Sequence, residues 1–252
     1  MFRSTFLSES EAFTSATQKF STRHQGQHPF FYALKHEPAA ILTQCVLSLF
    51  VCTFFAASGW YMGIWLETFY TQLIDQDVRI SETRGRFLNT LLLFFGSSLG
   101  AMTVAYLIDK GPQWIPYQNY ILASAAALAI CSPVFLWLMS FGTSCYWCVF
   151  LGHLAQIMTL LPTVSTFALF ISSQFPVQVQ YASIGLTYNL AQAIFGGTVP
   201  YVATKLAVGS KSLLAPAFYI SSLAIVGVIG ILLGQLPSVK TMKGDLACTM
   251  NS

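Results

Sequence analysis

Six long runs of mostly apolar residues, separated by short polar segments, dominate this sequence. They cover residues 41–65, 87–108, 118–139, 146–171, 183–207 and 213–236. A helix needs roughly 20 mostly apolar residues to cross a bilayer, and each run is long enough. A membrane barrel would instead show short segments in which apolar and polar residues alternate. The pattern therefore predicts an all-α integral membrane protein with six transmembrane helices.

The runs divide the chain into three parts. We expect a tail or linker over residues 1–38, a six-helix transmembrane bundle over 39–238 and a C-terminal tail over 239–252. Six spans place both tails on the same side of the membrane. Seven Lys and Arg residues fall on that side and five on the other, and such a surplus marks the cytoplasmic side. Both termini are thus predicted to be cytoplasmic.

The composition agrees with a membrane protein. Hydrophobic residues make up 55% of the chain and charged residues only 8%, whereas a soluble domain carries roughly 25% charged residues. The lipid bilayer is therefore the expected surrounding. The net charge of +3 is too small to indicate a nucleic-acid partner. Trp60, Tyr61 and Trp65, near one end of the first run, suit the aromatic belt at the membrane surface.

Two G-x-x-x-G motifs occur in the first and second runs. Gly59 and Gly63 form one, and Gly96 and Gly100 form the other. Small residues at this spacing let helix backbones approach closely. We interpret both motifs as packing faces, and a face that slides during a conformational change is the functional alternative.

A polar stripe follows one face of the fourth run. His153, Gln156, Thr159, Thr163 and Thr166 recur every three or four residues. Polar groups at membrane depth are costly unless they face protein or water, so the stripe should face the interior of the bundle. His153 is a candidate for carrying a proton or binding substrate. The alternative is a neutral imidazole that is hydrogen-bonded to a neighbouring helix.

The fifth run carries a second polar face, formed by Gly185, Asn189, Gln192 and Gly196 with Tyr188 beside them. The two amides offer donors and acceptors without charge, which suits a small polar or zwitterionic solute. A hydrogen-bond clamp between helices is the alternative. The candidate solute-binding residues of both faces are Asn189, Gln192, Tyr188, Gln156 and His153.

Two glycines and a proline lie close together in the second half of the fifth run. Gly196, Gly197 and Pro200 lie within six residues, and Pro200 is expected to break or bend the helix. Broken helices are common at transporter sites. These three residues, with Gly59, Gly63 and Asp109 at the end of the second run, are the candidate gating and packing residues.

Signatures of enzymes and metal sites are missing from the sequence. There is no P-loop, no H-E-x-x-H and no G-x-S-x-G motif. Cys145 and Cys148 form a C-x-x-C at the start of an apolar run, without a second pair or nearby ligands. We therefore expect no catalytic residues, no metal site, no cofactor and no enzymatic activity.

Three segments resemble a known transporter family. They are the stretch Phe-Pro-Val-Gln-Val-Gln-Tyr at 175–181, the pair Tyr188-Asn189, and Phe-Gly-Gly-Thr-Val-Pro at 195–200. Together they resemble a signature of the metabolite:proton symporter family within the major facilitator superfamily. The end of the second run, 105–110, is similar to the D-R loop of that superfamily's second half. The run 29–35 is similar to its central cytoplasmic linker.

The resemblance implies the C-terminal six-helix half of a twelve-helix secondary transporter. It further implies alternating access, a small solute such as proline, betaine or a carboxylate, and coupling to protons. A bacterial inner membrane is the implied location. The implied partner is a complementary N-terminal half or a second copy of the chain.

The chain departs from the family pattern in two loops. Gln178 and Gln180 stand where the family usually has Arg, and Ala105 and Lys110 replace the usual Gly and Arg. The alternative interpretation is therefore a membrane remnant, or an assembly subunit of a disrupted transporter gene, that does not transport.

Overall fold

The structure is a computed structural model that describes residues 20, 28–69, 81–111, 116–140 and 146–251. These residues form eight helices and contain no strand. The protein is an all-α membrane helical bundle, as the sequence predicts.

Two short helices lie at the ends of the described chain, and six long ones lie between them. The short helices are α1 (Pro29–His36) and α8 (Pro237–Asn251). Four of the long helices are α2 (Pro38–Thr68), α4 (Tyr117–Ser140), α5 (Tyr146–Ser173) and α7 (Ala215–Gly234). The helix α3 comprises Glu82–Leu91, Leu92–Gly100 and Ala101–Lys110, and α6 comprises Val177–Ala191, Gln192–Gly196 and Gly197–Gly209.

Five of the long helices are long and apolar enough to cross a membrane, namely α2, α3, α4, α5 and α7. They coincide with five of the six predicted runs to within a few residues. The helix α6 covers the remaining run, 183–207, without interruption. It is not among the five, and Gln178, Gln180, Asn189 and Gln192 make it more polar. The sixth span stays a prediction.

The packing order of the long helices differs from their order along the chain. The helix α3 lies against α5, α5 against α4, α4 against α7, α7 against α2, and α2 against α6. In the most apolar part of α2, 56% of the residues are buried, whereas in α3 only 6% are. The helix α2 is therefore a central element of the bundle, and α3 lies at its edge.

Glycines allow α7 to approach α2 closely. A Cβ atom added at Gly227 would lie 2.6 Å from Cβ of Phe54, and one added at Gly230 would lie 2.8 Å from Cβ of Phe50. These contacts involve atoms next to the backbone, which cannot rotate away. The sequence motifs did not single out this pair, although its spacing is three residues on one helix face.

The two short helices cover one end of the bundle. Residues of α1, α8 and the adjoining ends of α2 and α6 form a separate apolar cluster, which includes Ala33, Ile41, Val179 and Leu246. In α8, Lys243 donates a hydrogen bond to the carbonyl oxygen of Ser173 at the end of α5. Burial lowers the pKa of Lys243. The segment predicted as a C-terminal tail is thus a packed helix over most of its length.

Three of the long helices contain π-helical segments. They are Tyr61–Trp65 in α2, Leu92–Gly100 in α3 and Gln192–Gly196 in α6. Such segments often mark functional sites in other proteins. Pro200 is expected to break or bend the helix. The helix α6 continues through Pro200, so it is not broken there. The proline ring crowds the carbonyl four residues earlier, and this residue is Gly196, the last residue of the π segment.

We predict that Gly227→Ala destabilises the protein by about 1–3 kcal/mol, because the new methyl group overpacks the contact between α7 and α2. The matched control is Gly185→Ala in α6, where an added Cβ meets nothing within 4 Å. Thermal unfolding in detergent should show a lower midpoint for the first variant and an unchanged or higher one for the second. Equal midpoints would contradict the packing described for Gly227.

Candidate functional site

The polar stripe of α5 faces the interior of the bundle and packs against α4. His153, Gln156, Thr163 and Thr166 are buried, and Thr159 is half-buried. Thr163 donates a hydrogen bond of 2.8 Å to the hydroxyl of Ser124 in α4. The Ser124 hydroxyl in turn donates one of 2.5 Å to the carbonyl oxygen of Thr159. These hydrogen bonds of the stripe therefore join α5 to α4.

Gln156 lies deeper in the bundle than the other candidate amides. Its Nε2 donates to the hydroxyl of Ser132 in α4 over 3.4 Å. On the other side it lies beside the buried hydroxyl of Tyr61 in α2. His153 is fully buried one turn earlier on α5. Gln156 therefore lies between α2, α4 and α5, and His153 is buried one turn away on the same helix rather than on an open surface.

Tyr188 and Gln192 of α6 form a second group, directed at α2. Gln192 donates from Nε2 to the Tyr188 hydroxyl over 3.0 Å. Its Oε1 accepts a 2.8 Å hydrogen bond from Nε1 of Trp60. Trp60 is 39% exposed, so this network reaches the surface of the described bundle. The amide of Gln192 is thus held in a fixed orientation between two aromatic partners.

Gly196 makes room for this network. A Cβ atom added there would lie 2.7 Å from Oε1 of Gln192 and 2.8 Å from Nε1 of Trp60. At the adjacent Gly197 the nearest atom, the carbonyl oxygen of Gln192, lies 3.8 Å away. Gly196 therefore packs closely against Trp60 and Gln192.

Sequence reasoning placed Trp60, Tyr61 and Trp65 together at the membrane surface. Only Trp60 is exposed, whereas Tyr61 and Trp65 are fully buried and stack on each other, with ring centroids 4.9 Å apart. The sequence feature that could have predicted the contact of Trp60 with Gln192 is Gly196, which lies one helical turn after Gln192. A polar side chain followed by a glycine on the same face leaves space for a large partner.

Asn189 lies apart from the other candidates. It is exposed on α6, next to the half-buried Tyr188. The five candidate solute-binding residues therefore fall into three places: an interior pair on α5, a network between α6 and α2, and one exposed amide. The structure does not bring them together into one cavity.

An aromatic cluster surrounds Tyr188. Phe55 of α2 stacks on Phe167 of α5, with ring centroids 4.0 Å apart and planes at 9°. The Tyr188 ring lies 6.5 Å from Phe55 and 6.1 Å from Phe167. The cluster joins α2, α5 and α6 at the level of the polar network.

A cavity of about 570 Å³ lies between α2, α3 and α5, and Phe55 forms part of its wall. Its wall consists of apolar side chains, glycines and three hydroxyl residues. They are Phe55, Gly59, Met62 and Gly63 of α2, Thr90, Leu93, Phe94, Ser97 and Ser98 of α3, and Ile157, Leu160, Leu161 and Val164 of α5. None of the five candidate solute-binding residues lines this cavity.

The two G-x-x-x-G motifs have different roles in the structure. Added Cβ atoms at Gly96 and Gly100 would lie 2.8 Å from Ile157 and 2.9 Å from Leu161, so these glycines hold α3 against α5. At Gly59 an added Cβ meets nothing within 4 Å, and at Gly63 it meets only Leu93, at 3.9 Å. Gly59 and Gly63 open the cavity wall instead of packing against a helix.

A polar contact joins α2 and α3 beside the cavity. Asn89 donates from Nδ2 to the carbonyl oxygen of Gly63 over 2.9 Å and to Oε2 of Glu67 over 3.2 Å. The other carboxylate oxygen of Glu67 lies 3.5 Å from Nε of Arg86. Asn89 is buried, so the contact fixes the two helix ends relative to each other.

The last gating candidates lie at helix ends or on the surface. Asp109 is exposed in the last turn of α3, Gly197 is exposed, and Pro200 is half-buried. The described residues contain no group of three or more His, Cys, Asp or Glu that could hold a metal ion.

The fold defines an integral membrane protein, and amides and hydroxyls join several of its described helices. Comparison with known proteins relates the chain to transporters of the proline/betaine type. A protein of Staphylococcus aureus named as a proline/betaine transporter is 24% identical over 204 residues, which cover 79% of this chain and 41% of that protein. The Staphylococcus haemolyticus protein of the same name is 26% identical over 210 residues, covering 79% and 41%.

Two further relatives carry individual names. The glycine betaine/proline/ectoine/pipecolic acid transporter OusA of Dickeya dadantii is 23% identical over 198 residues, covering 78% of this chain and 38% of OusA. The ectoine/proline transporter ProP of Corynebacterium glutamicum is 29% identical over 145 residues, covering 52% and 28%. These relatives are named as transporters and not as enzymes, in agreement with the expectation from the sequence.

The chain spans about 41% of the length of the first curated relatives that it matches. No protein-family model matches it, and no solved structure matches it.

We predict that Gly196→Ala displaces Trp60 from Gln192 and destabilises the protein by about 1 kcal/mol, the usual net value of one hydrogen bond. Gly197→Ala is the matched control, because it adds the same methyl group next to the network without a close contact. The tryptophan emission spectrum and the unfolding midpoint in detergent should change only in the first variant. An unchanged spectrum for Gly196→Ala would contradict the described contact.

Proposed function

We propose that this chain is part of a secondary active transporter for a small polar solute of the proline/betaine type. The observation that carries the proposal is the similarity to proteins named as such transporters over about 79% of the chain. The Trp60–Gln192–Tyr188 network supports it, because a fixed and partly exposed amide offers a neutral solute both a donor and an acceptor.

The charge distribution favours a neutral or zwitterionic solute. The charged residues that the structure describes lie near helix ends or in α1 and α8, as Glu67, Arg86, Asp109, Lys110 and Lys205 illustrate. A dianionic carboxylate would need buried positive charge to offset its desolvation. We therefore prefer proline or betaine over a dicarboxylate as the solute.

Transport requires a second part that faces this bundle, and we propose a complementary N-terminal six-helix half or a second copy of the chain. The edge helix α3 leaves Phe87, Phe95, Leu99 and Met102 exposed. A helical partner or lipid would cover such a face in the membrane. In this proposal the two parts belong to a transporter of the major facilitator type and rock against each other around the solute.

The proposed transporter is coupled to protons and has a defined orientation in the membrane. Proton coupling follows the resemblance of segments 175–181 and 195–200 to the metabolite:proton symporters. The membrane would be a bacterial inner membrane with both termini in the cytoplasm, in line with the Lys and Arg distribution. A remnant or assembly subunit without transport is the alternative.

Uptake of radiolabelled proline, glycine betaine and 2-oxoglutarate into transport-deficient cells tests the proposal. The chain is expressed alone and together with the N-terminal part of the S. aureus relative. We predict uptake of proline or glycine betaine, but not of 2-oxoglutarate, and loss of this uptake with a protonophore. No uptake in either setting, despite correct membrane insertion, would support the non-transporting alternative.

In this assay Gln192→Ala should lower uptake about tenfold, the effect of roughly 1.4 kcal/mol of lost binding. Ser222→Ala is the control, because the Ser222 hydroxyl donates only within its own helix, to the carbonyl oxygen of Tyr219. Equal uptake by both variants at equal membrane levels would remove Gln192 from the proposed site.

A further inference from the structure

We propose that the cavity between α2, α3 and α5 receives the methylated ammonium group of a betaine. The inference rests on the proposed function and assigns the specificity for one solute class to residues that the sequence did not identify. The cavity has a volume of about 570 Å³, is lined by three spans and is open on one side, where Gly59 and Phe94 are exposed.

The shape of the cavity depends on two glycines of α2. A Cβ atom added at Gly59 would meet no other atom within 4 Å. A Cβ atom added at Gly63 would meet only the side chain of Leu93, at 3.9 Å. Any larger side chain at Gly59 would enter this space. Because helix packing does not require these glycines, the cavity is the feature that their small size creates.

The lining contains no charged residue. Phe55 and Phe94 contribute aromatic rings, Met62 contributes a thioether, and Thr90, Ser97 and Ser98 contribute hydroxyls. A trimethylammonium group has no N–H to donate, so an apolar wall leaves no donor of it without an acceptor, and aromatic faces attract its charge. The ammonium of proline donates two hydrogen bonds, and in this mostly apolar wall only the hydroxyls of Thr90, Ser97 and Ser98 could accept them. The lining therefore favours the methylated cation.

Phe55 connects this cavity with the polar network. Its ring lines the cavity and also belongs to the cluster with Phe167 and Tyr188, and the Tyr188 hydroxyl accepts from Gln192. A wall for the cation thus lies next to an amide that can donate to a carboxylate. These are the two recognition elements that a zwitterion requires.

A lipid acyl chain is the competing occupant, because most of the wall is apolar. The hydroxyl residues in the wall and the continuity with the network through Phe55 favour a polar solute with an apolar, cationic end. Sensitivity to tetramethylammonium separates the two, since this cation carries the proposed group and has no acyl chain.

The test measures binding of radiolabelled glycine betaine to the purified chain in lipid nanodiscs, with tetramethylammonium and proline as competitors. We expect competition by tetramethylammonium, and binding that is about tenfold weaker in Gly59→Leu, which fills the cavity. Gly209→Leu is the matched control, because an added Cβ there also meets nothing within 4 Å and Gly209 does not line the cavity.

A second pair of variants guards against misfolding of Gly59→Leu. Phe94→Leu removes an aromatic ring from the wall and should weaken glycine betaine binding about fivefold, whereas Phe94→Tyr keeps the ring and should bind normally. Equal binding by both Phe94 variants would overturn the proposal. Absence of glycine betaine binding by the unsubstituted chain, or binding that tetramethylammonium does not compete, would also overturn it.

Failure of this inference is distinguishable from failure of the proposed function. Uptake of proline or glycine betaine that is unaffected by Gly59→Leu would remove the cavity from recognition and leave the transporter proposal intact. Binding in nanodiscs without uptake in cells would support the cavity as a site and contradict transport.

Discussion

Water is absent from the hydrocarbon core of a bilayer, so a polar side chain at that depth is costly unless it faces protein or a water-filled cavity. In the described part of the bundle, several hydroxyls and amides find partners on a neighbouring helix. Thr163, Ser124 and the carbonyl of Thr159 join α5 to α4, and Gln192 joins α6 to Trp60 of α2. Charged residues of the described chain stay near the helix ends, where water and lipid head groups solvate them.

The polar side chains differ in whether a solute could reach them in this structure. His153 and Gln156 are fully enclosed, so any role in binding would require the bundle to open around them. Tyr188, Gln192 and Trp60 form a network that is already partly exposed, and Asn189 lies on the surface of α6. In our proposal, the solute therefore meets the face formed by α2 and α6 and the adjoining cavity between α2, α3 and α5.

Much of the fold could be predicted from the sequence, because long apolar runs and short polar connections are direct consequences of bilayer thickness. The helix α6 was harder to classify, since Asn189 and Gln192 lower its apolar character. Side-chain partners were less predictable, because they depend on which helices become neighbours. The interior direction of the α5 stripe followed from its periodicity. The different roles of Gly59 and Gly96 did not, since both lie in the same motif and only the packing of α3 on α5 distinguishes them.

The most direct test of a solute-facing surface on α6 is the reactivity of a cysteine at position 189. In a variant without the native cysteines, Asn189→Cys and, as control, Ile225→Cys on the exposed face of α7 are treated with a membrane-impermeant maleimide. The chain is co-expressed with the N-terminal part of the S. aureus relative. We predict labelling at position 189 that glycine betaine reduces, and none at position 225. An unreactive cysteine at position 189 would place this face in lipid or in a closed contact, contradicting the account.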